Sequence, residues 1–144
     1  MDFSLKNKTA LVTGSYRGTG FAIAKTLLAE GANVLVHGIT AEQANAAVSE
    51  LAGGTPVSGD ISAPAGCQSL LEACAEHSIQ ILINNYGGAD QSTWFDGNAD
   101  DWHSAFEKNV LSAQRLTQAL LPSLLASQWA RLSLIHISEP TRPY

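Results

Sequence analysis

Short apolar runs rich in β-branched residues alternate along this chain with longer stretches whose apolar residues return every three or four positions. That alternation constrains the fold more than any other feature, because strands separated by helices run parallel and need helices over both faces of their sheet. The predicted strands are TALVT (Thr9 to Thr13), NVLVH (Asn33 to His37), TPVSGD (Thr55 to Asp60) and IQILINN (Ile79 to Asn85). A first predicted helix carries Phe21, Ile23, Ala24, Leu27 and Leu28 and stops at Gly31; a second spans AEQANAAVSEL, closed by Gly53 and Gly54; a third spans PAGCQSLLEACAEH. From Trp102 onward, Phe106, Val110, Ala113, Leu116, Leu120 and Leu124 track one face of a long helix. Pro122 should kink that helix or end it near Leu121, since an interior proline costs about 3 kcal/mol. The expected fold class is α/β, a doubly wound parallel sheet truncated after the fourth βα unit.

The 144 residues suit one domain. Thirteen acidic against eight basic residues leave a formal charge of −5, which argues against nucleic acid or an anionic membrane as a partner. The N-terminus lacks the basic, apolar and small-residue succession of a signal peptide and no apolar run reaches a membrane span, so the expected location is cytoplasmic. Cys67 and Cys74 lie on one predicted helix face and read as small core residues. Asp90, Asp96, Asp100 and Asp101 lack ligand spacing and read as a solvated loop and helix start; no metal site is expected.

TGSYRGTG stands where the first strand hands over to the first helix. Gly14 and Gly18 can take positive backbone dihedrals and bring the main chain close to an anion, while Gly20 lets the helix pack tightly. Amides at the helix start then attract a phosphate. A phosphate-loop NTPase is excluded because Phe21 follows Gly20, where lysine should stand.

The spacing Thr13, Gly14, three residues, Gly18, Thr19, Gly20 resembles the cofactor signature of the short-chain dehydrogenase/reductase family. NNYG (Asn84 to Gly87) resembles that family's N-N-A-G segment with Tyr86 in place of alanine. Asp60 matches its adenine-contacting aspartate and Asn109 the helix asparagine of its catalytic tetrad. The resemblance runs from about Leu5 to Arg131 and implies a Rossmann sheet, hydride transfer between a nicotinamide and a small carbonyl or alcohol substrate, and a homodimer or homotetramer built on the helix of Asn109. The cofactor-binding residues it implies are Gly14, Ser15, Tyr16, Arg17, Gly18, Thr19, Gly20, Asp60, Ile61, Asn85, Tyr86 and Gly87; the catalytic one is Asn109.

A carboxylate at the end of the second strand would hold the ribose of NAD, but Gly38 stands there, and Arg17 can pair with a 2′-phosphate. NADP(H) is therefore expected over NAD(H), although NAD(H) stays possible. His37 reads as a packing or surface residue rather than a ligand contact.

Family relatives transfer the proton with a tyrosine whose partner lysine lies four residues later, and place a serine at the end of the fifth strand. Here Ser138 falls one residue beyond the expected serine, and Tyr144 has no lysine after it. LSLIHISEPTR (Leu132 to Arg142) resembles the conceptual translation of a transposon-end sequencing adapter. Residues 1–131 are thus expected to be an incomplete dinucleotide-binding domain and 132–144 a non-native read-through tail, leaving an inactive fragment. The alternative is a catalytically dead nucleotide-binding or oligomer-docking module.

Overall fold

The computed structural model describes residues 3–88 and 95–135. Five strands, β1 (Thr9–Val12), β2 (Asn33–Gly38), β3 (Thr55–Ser58), β4 (Ile81–Asn84) and β5 (Arg131–Leu134), form one sheet in the order β3-β2-β1-β4-β5. Every neighbouring pair is parallel, as the strand–helix alternation requires. The connecting helices are α1 (Gly18–Ala29), α2 (Ala41–Leu51), α3 (Pro64–Ala73), α4 (Ala99–Phe106) and α5 (Ser112–Ala126).

Successive strand side chains point to opposite faces, so the sheet builds two cores. Leu11, Leu35 and Leu82 pack with Cys67, Leu70, Leu116 and Leu120 under α3 and α5. Their neighbours Val12, Val34 and Val36 pack on the other face with Ala24 and Ala47, against α1 and α2. Local signals set the helix ends. Gly31, at φ +82°, closes α1, with its N–H bonded to the Leu28 carbonyl. Thr40 and Gln43 form a reciprocal capping box on α2, whose left-handed closure falls on Ala52 (φ +53°) just before the expected glycine pair. Both cysteines are buried and free, and burial pushes the Cys74 thiol up to about 11.

Two expectations need correction. First, of the two outcomes expected of Pro122, a helix end near Leu121 does not occur: α5 runs past Pro122 to Ala126, because Leu120 and Leu124 on either side of it are buried in the core while Pro122 itself faces solvent. Second, the face begun by Trp102 and Phe106 is not the face of Leu116, Leu120 and Leu124. A π-helical turn, Glu107–Leu111, joins α4 to α5 and adds one residue to the ladder, which rotates α5 relative to α4 by about 100°. Trp102, Phe106 and Val110 are consequently exposed.

After the fourth βα unit the sheet carries one further strand, β5. Residues 131–134 pair in register with β4, from Arg131 opposite Ile81 to Leu134 opposite Asn84, and the Ile135 N–H reaches the Asn84 carbonyl. An open edge of β4 offers backbone partners to any extended segment that comes after α5. Leu132 and Leu134 stay about half exposed (49% and 54%), so backbone pairing rather than side-chain burial holds β5. Asp90, Ser138 and Tyr144 lie outside the described residues.

Candidate functional site

The carboxyl ends of β1, β2 and β4 converge on the glycine turn. Gly14 and Gly18 adopt φ +64° and +58°, as their role in the turn demands. Gly20 sits at the start of α1 so close to the turn that a Cβ there would lie 2.6 Å from the Gly14 carbonyl oxygen and 2.5 Å from Asn85 Nδ2. Among the described residues nothing lies within 4 Å of the corresponding position on Gly18. Arg17 is the N-cap of α1 and makes no side-chain cap. The N–H groups of Gly18, Thr19 and Gly20 belong to the first helical turn and have no helical carbonyl to bond. An uncapped helix start beside an open glycine suits a diphosphate.

Hydrogen bonds between distant segments hold this turn. Thr13 Oγ1 accepts from the N–H groups of Asn85 (3.0 Å) and Tyr86 (2.9 Å). The Asn85 side-chain amide donates back to the Thr13 carbonyl at 2.9 Å. Ser15 is fully buried: its hydroxyl donates to the Val12 carbonyl (2.7 Å) and accepts the His37 N–H (2.8 Å). The Ser15 side chain is therefore turned inward, away from any ligand over the turn. Ile61 is likewise buried in the core, which leaves only its backbone to face a ligand. Asp60 beside it is exposed and accepts from the Ser62 N–H (3.1 Å) and hydroxyl (2.6 Å).

Arg17 is exposed, its guanidinium carbon 5.0 Å from the centre of the Tyr16 ring. Tyr86 is half-buried, edge-on to His37 at 6.2 Å; burial and the nearby Asp60 carboxylate raise its phenol above the ordinary value. Asn84 donates to Thr117 Oγ1 at 3.2 Å, while its buried Oδ1 has no hydrogen-bond partner among the described residues.

Asn109 stands inside the π turn. Its carboxamide accepts the Gly88 N–H (3.0 Å) and donates to the carbonyls of Gly88 and Ala105 (2.9 Å each). A Cβ on Gly87 would meet Asn109 Oδ1 at 2.5 Å. Asn109 thus clips the segment after β4 to the helix, next to Tyr86.

A family profile described as short chain dehydrogenase matches residues 8–138. The chain belongs to the short-chain dehydrogenase/reductase family. It is 37% identical over 141 residues to the uncharacterized oxidoreductase YvaG of Bacillus subtilis (strain 168), covering 94% of this chain and 53% of that protein. Its fold superposes with a TM-score of 0.85 on L-sorbose reductase from Gluconobacter frateurii, complexed with NADPH and L-sorbose, at 27% identity over 92% of this chain and 53% of the other. A 3-oxoacyl (acyl-carrier-protein) reductase from Agrobacterium tumefaciens C58 with NADP bound gives 0.81 at 31% identity, covering 89% and 52%. The chain spans about half the length of the relatives it matches.

Of the residues the dehydrogenase/reductase signature singles out, the fold brings Gly14 to Gly20, Asn85 to Gly87 and Asn109 to one sheet edge, with Asp60 beside them. Sequence reasoning missed Thr13 and His37 as the partners that hold the turn. The available signals were their place at the last residues of adjacent predicted strands and, for Thr13, its position at the head of the cofactor signature. Among the described residues no three His, Cys, Asp or Glu side chains cluster as a metal site, and no helix is long and apolar enough to cross a membrane.

Proposed function

We propose that the whole protein is an NADP(H)-dependent oxidoreductase acting on a small carbonyl or alcohol substrate, and that this chain carries its cofactor-binding half. The open, uncapped start of α1 beside Gly18 is the observation that carries the reading. Bound nicotinamide would supply or accept the hydride. The first-turn amides of Gly18, Thr19 and Gly20 would hold the diphosphate, Asp60 and the Ile61 backbone would face the adenine, and Asn109 would keep the Gly87–Gly88 segment in place.

NADP(H) is preferred because the end of β2 has no room for a ribose-binding carboxylate. A Cβ on Gly38 would lie 2.7 Å from the Ala44 nitrogen and 2.8 Å from the Thr40 oxygen, both backbone atoms. Arg17 is exposed and stacked where a 2′-phosphate can meet it. Calorimetric titration tests this: Arg17→Ala is expected to weaken NADP+ binding roughly tenfold, the value of one exposed charge-assisted hydrogen bond, and to leave NAD+ nearly unchanged. Equal affinity of the unmodified chain for NAD+ and NADP+ would refute the role of Arg17.

We further propose that the 144-residue chain binds without turning over. No tyrosine in it is followed four residues later by lysine, and a phenol left near pKa ~10 is a poor proton carrier at neutral pH. Carbonyl-dependent oxidation of NADPH by the purified chain would overturn this. Association of the whole protein as a dimer or tetramer fits the apolar surface that Phe106 and Val110 expose beside Asn109.

A further inference from the structure

We propose that His37 is a proton-operated latch: its neutral ring holds the glycine turn in ligand-ready form, and a proton on that ring releases it. The latch stands on the turn's own hydrogen bonds; only its effect on cofactor affinity rests on the dinucleotide reading above.

His37 is in β2 and is fully buried. Its ring bridges the segments that come after β1 and β3: Nδ1 accepts the Gly14 N–H at 2.9 Å, and Nε2 lies 2.8 Å from the Gly59 carbonyl oxygen. A backbone N–H can only donate and a carbonyl can only accept, so the ring is the neutral tautomer with its proton on Nε2. The main chain of His37 joins the same turn. Its N–H donates to Ser15 Oγ at 2.8 Å, and its carbonyl accepts the Tyr16 N–H at 3.2 Å. Gly14, Ser15 and Tyr16 are thereby tied to β2 immediately before the open first turn of α1.

A second proton on the ring would put a donor on Nδ1, pointing at another donor. The Gly14 bond is lost, its buried N–H is left without a partner, and exchanging the ring nitrogens gives no relief because both now donate. Among the described residues, few groups face the ring. Asp60, after β3, is the charged group acting on it and favours the protonated form. Tyr86, after β4, meets it edge-on; in the turn, Tyr16 reaches His37 through its backbone N–H, with the Arg17 guanidinium over the Tyr16 ring. Burial outweighs Asp60 and holds the imidazole below the ordinary histidine value of 6.5. The unfolded or released chain therefore binds the proton more readily than the latched one. The latch is intact above pH 6.5 and is lost as pH falls from there through the lower, latched-state value.

Two measurements on the full 144-residue chain test the proposal. Side-chain nitrogen NMR of the 15N-labelled chain at neutral pH is expected to find His37 protonated on Nε2 alone, and hydrogen exchange at the Gly14 amide should accelerate as His37 titrates. A ring protonated on Nδ1, or a Gly14 amide indifferent to that titration, would overturn the latch without any ligand being involved.

The second measurement is NADP+ affinity against pH for the wild type and for His37→Asn. The Asn Oδ1 can take the place of Nδ1 toward Gly14 but cannot gain a proton. Because the 2′-phosphate itself titrates near about pH 6, the quantity read is the ratio of the two proteins at each pH. The wild-type Kd is expected to rise, relative to the variant, about tenfold per pH unit below the His37 midpoint. A constant ratio overturns the proposal, and His77→Gln should track the wild type. Absence of NADP+ binding at every pH would instead sink the dinucleotide reading and leave the latch to be decided by the NMR result.

Discussion

Gly20→Val is expected to weaken NADP+ binding at least about a hundredfold, which corresponds to about 2.7 kcal/mol. Even the first carbon of the new side chain would lie 2.6 Å from the Gly14 carbonyl oxygen, 2.9 Å from the Gly14 carbonyl carbon and 2.5 Å from Asn85 Nδ2. Two of these are backbone atoms of the turn itself, so no rotamer change relieves the contact, and α1 must move away from the strand ends. Such overpacking costs about 1–3 kcal/mol or more in stability. It also separates the first-turn amides of α1 from the Gly14–Gly18 segment, the two parts that together would surround a diphosphate. Gly20→Ala should show most of the loss, because the conflict begins at Cβ. Titration calorimetry and thermal unfolding of the same samples give the two readouts, and an alanine variant that binds like the wild type would show that α1 does not work as a unit with the turn.

Thr13→Val tests the other end of the site. Valine keeps the shape of threonine but removes the oxygen that accepts the Asn85 and Tyr86 N–H groups at 3.0 and 2.9 Å. Each part-buried donor left without a partner costs about 1–3 kcal/mol, so the pair is expected to cost about 2–6 kcal/mol. For a domain of this size that lowers Tm on the order of 10 °C. Thr13→Ser keeps the hydroxyl and should recover most of the loss. Denaturant unfolding of the three proteins measures the effect, and a valine variant within about 0.5 kcal/mol of the wild type would mean that water replaces the hydroxyl.

Much of the site was legible in the amino-acid order because its demands are local. A positive φ needs glycine, and Gly14 and Gly18 are glycines with that backbone. Alternating apolar runs name the strands, and their segregation from amphipathic stretches predicts a parallel sheet with two covered faces. The π turn at Glu107–Leu111 left no such mark. Trp102, Phe106 and Leu116 remain compatible with one helical stripe until one additional residue in the ladder divides them between solvent and core. Pro122 misled for a related reason: an intrinsic cost of helix formation was outweighed by burial of Leu120 and Leu124 on either side of it.

Ser15 shows the limit most clearly. Its place in a phosphate-binding turn predicts a ligand contact, yet its hydroxyl is spent on Val12 and His37 inside the protein. His37, in turn, reads as an ordinary strand-end residue until the sheet order sets β2 beside both β1 and β3. Residue spacing was enough to establish the order of elements, the glycine turn and the family, since periodicity and backbone dihedrals act over a few neighbouring residues. Which hydroxyl, ring nitrogen or amide would hold that turn depended on strand neighbours brought together across 22 to 73 positions of chain. Such pairings cost loop-closure entropy and are repaid only in the assembled sheet, so no local pattern records them.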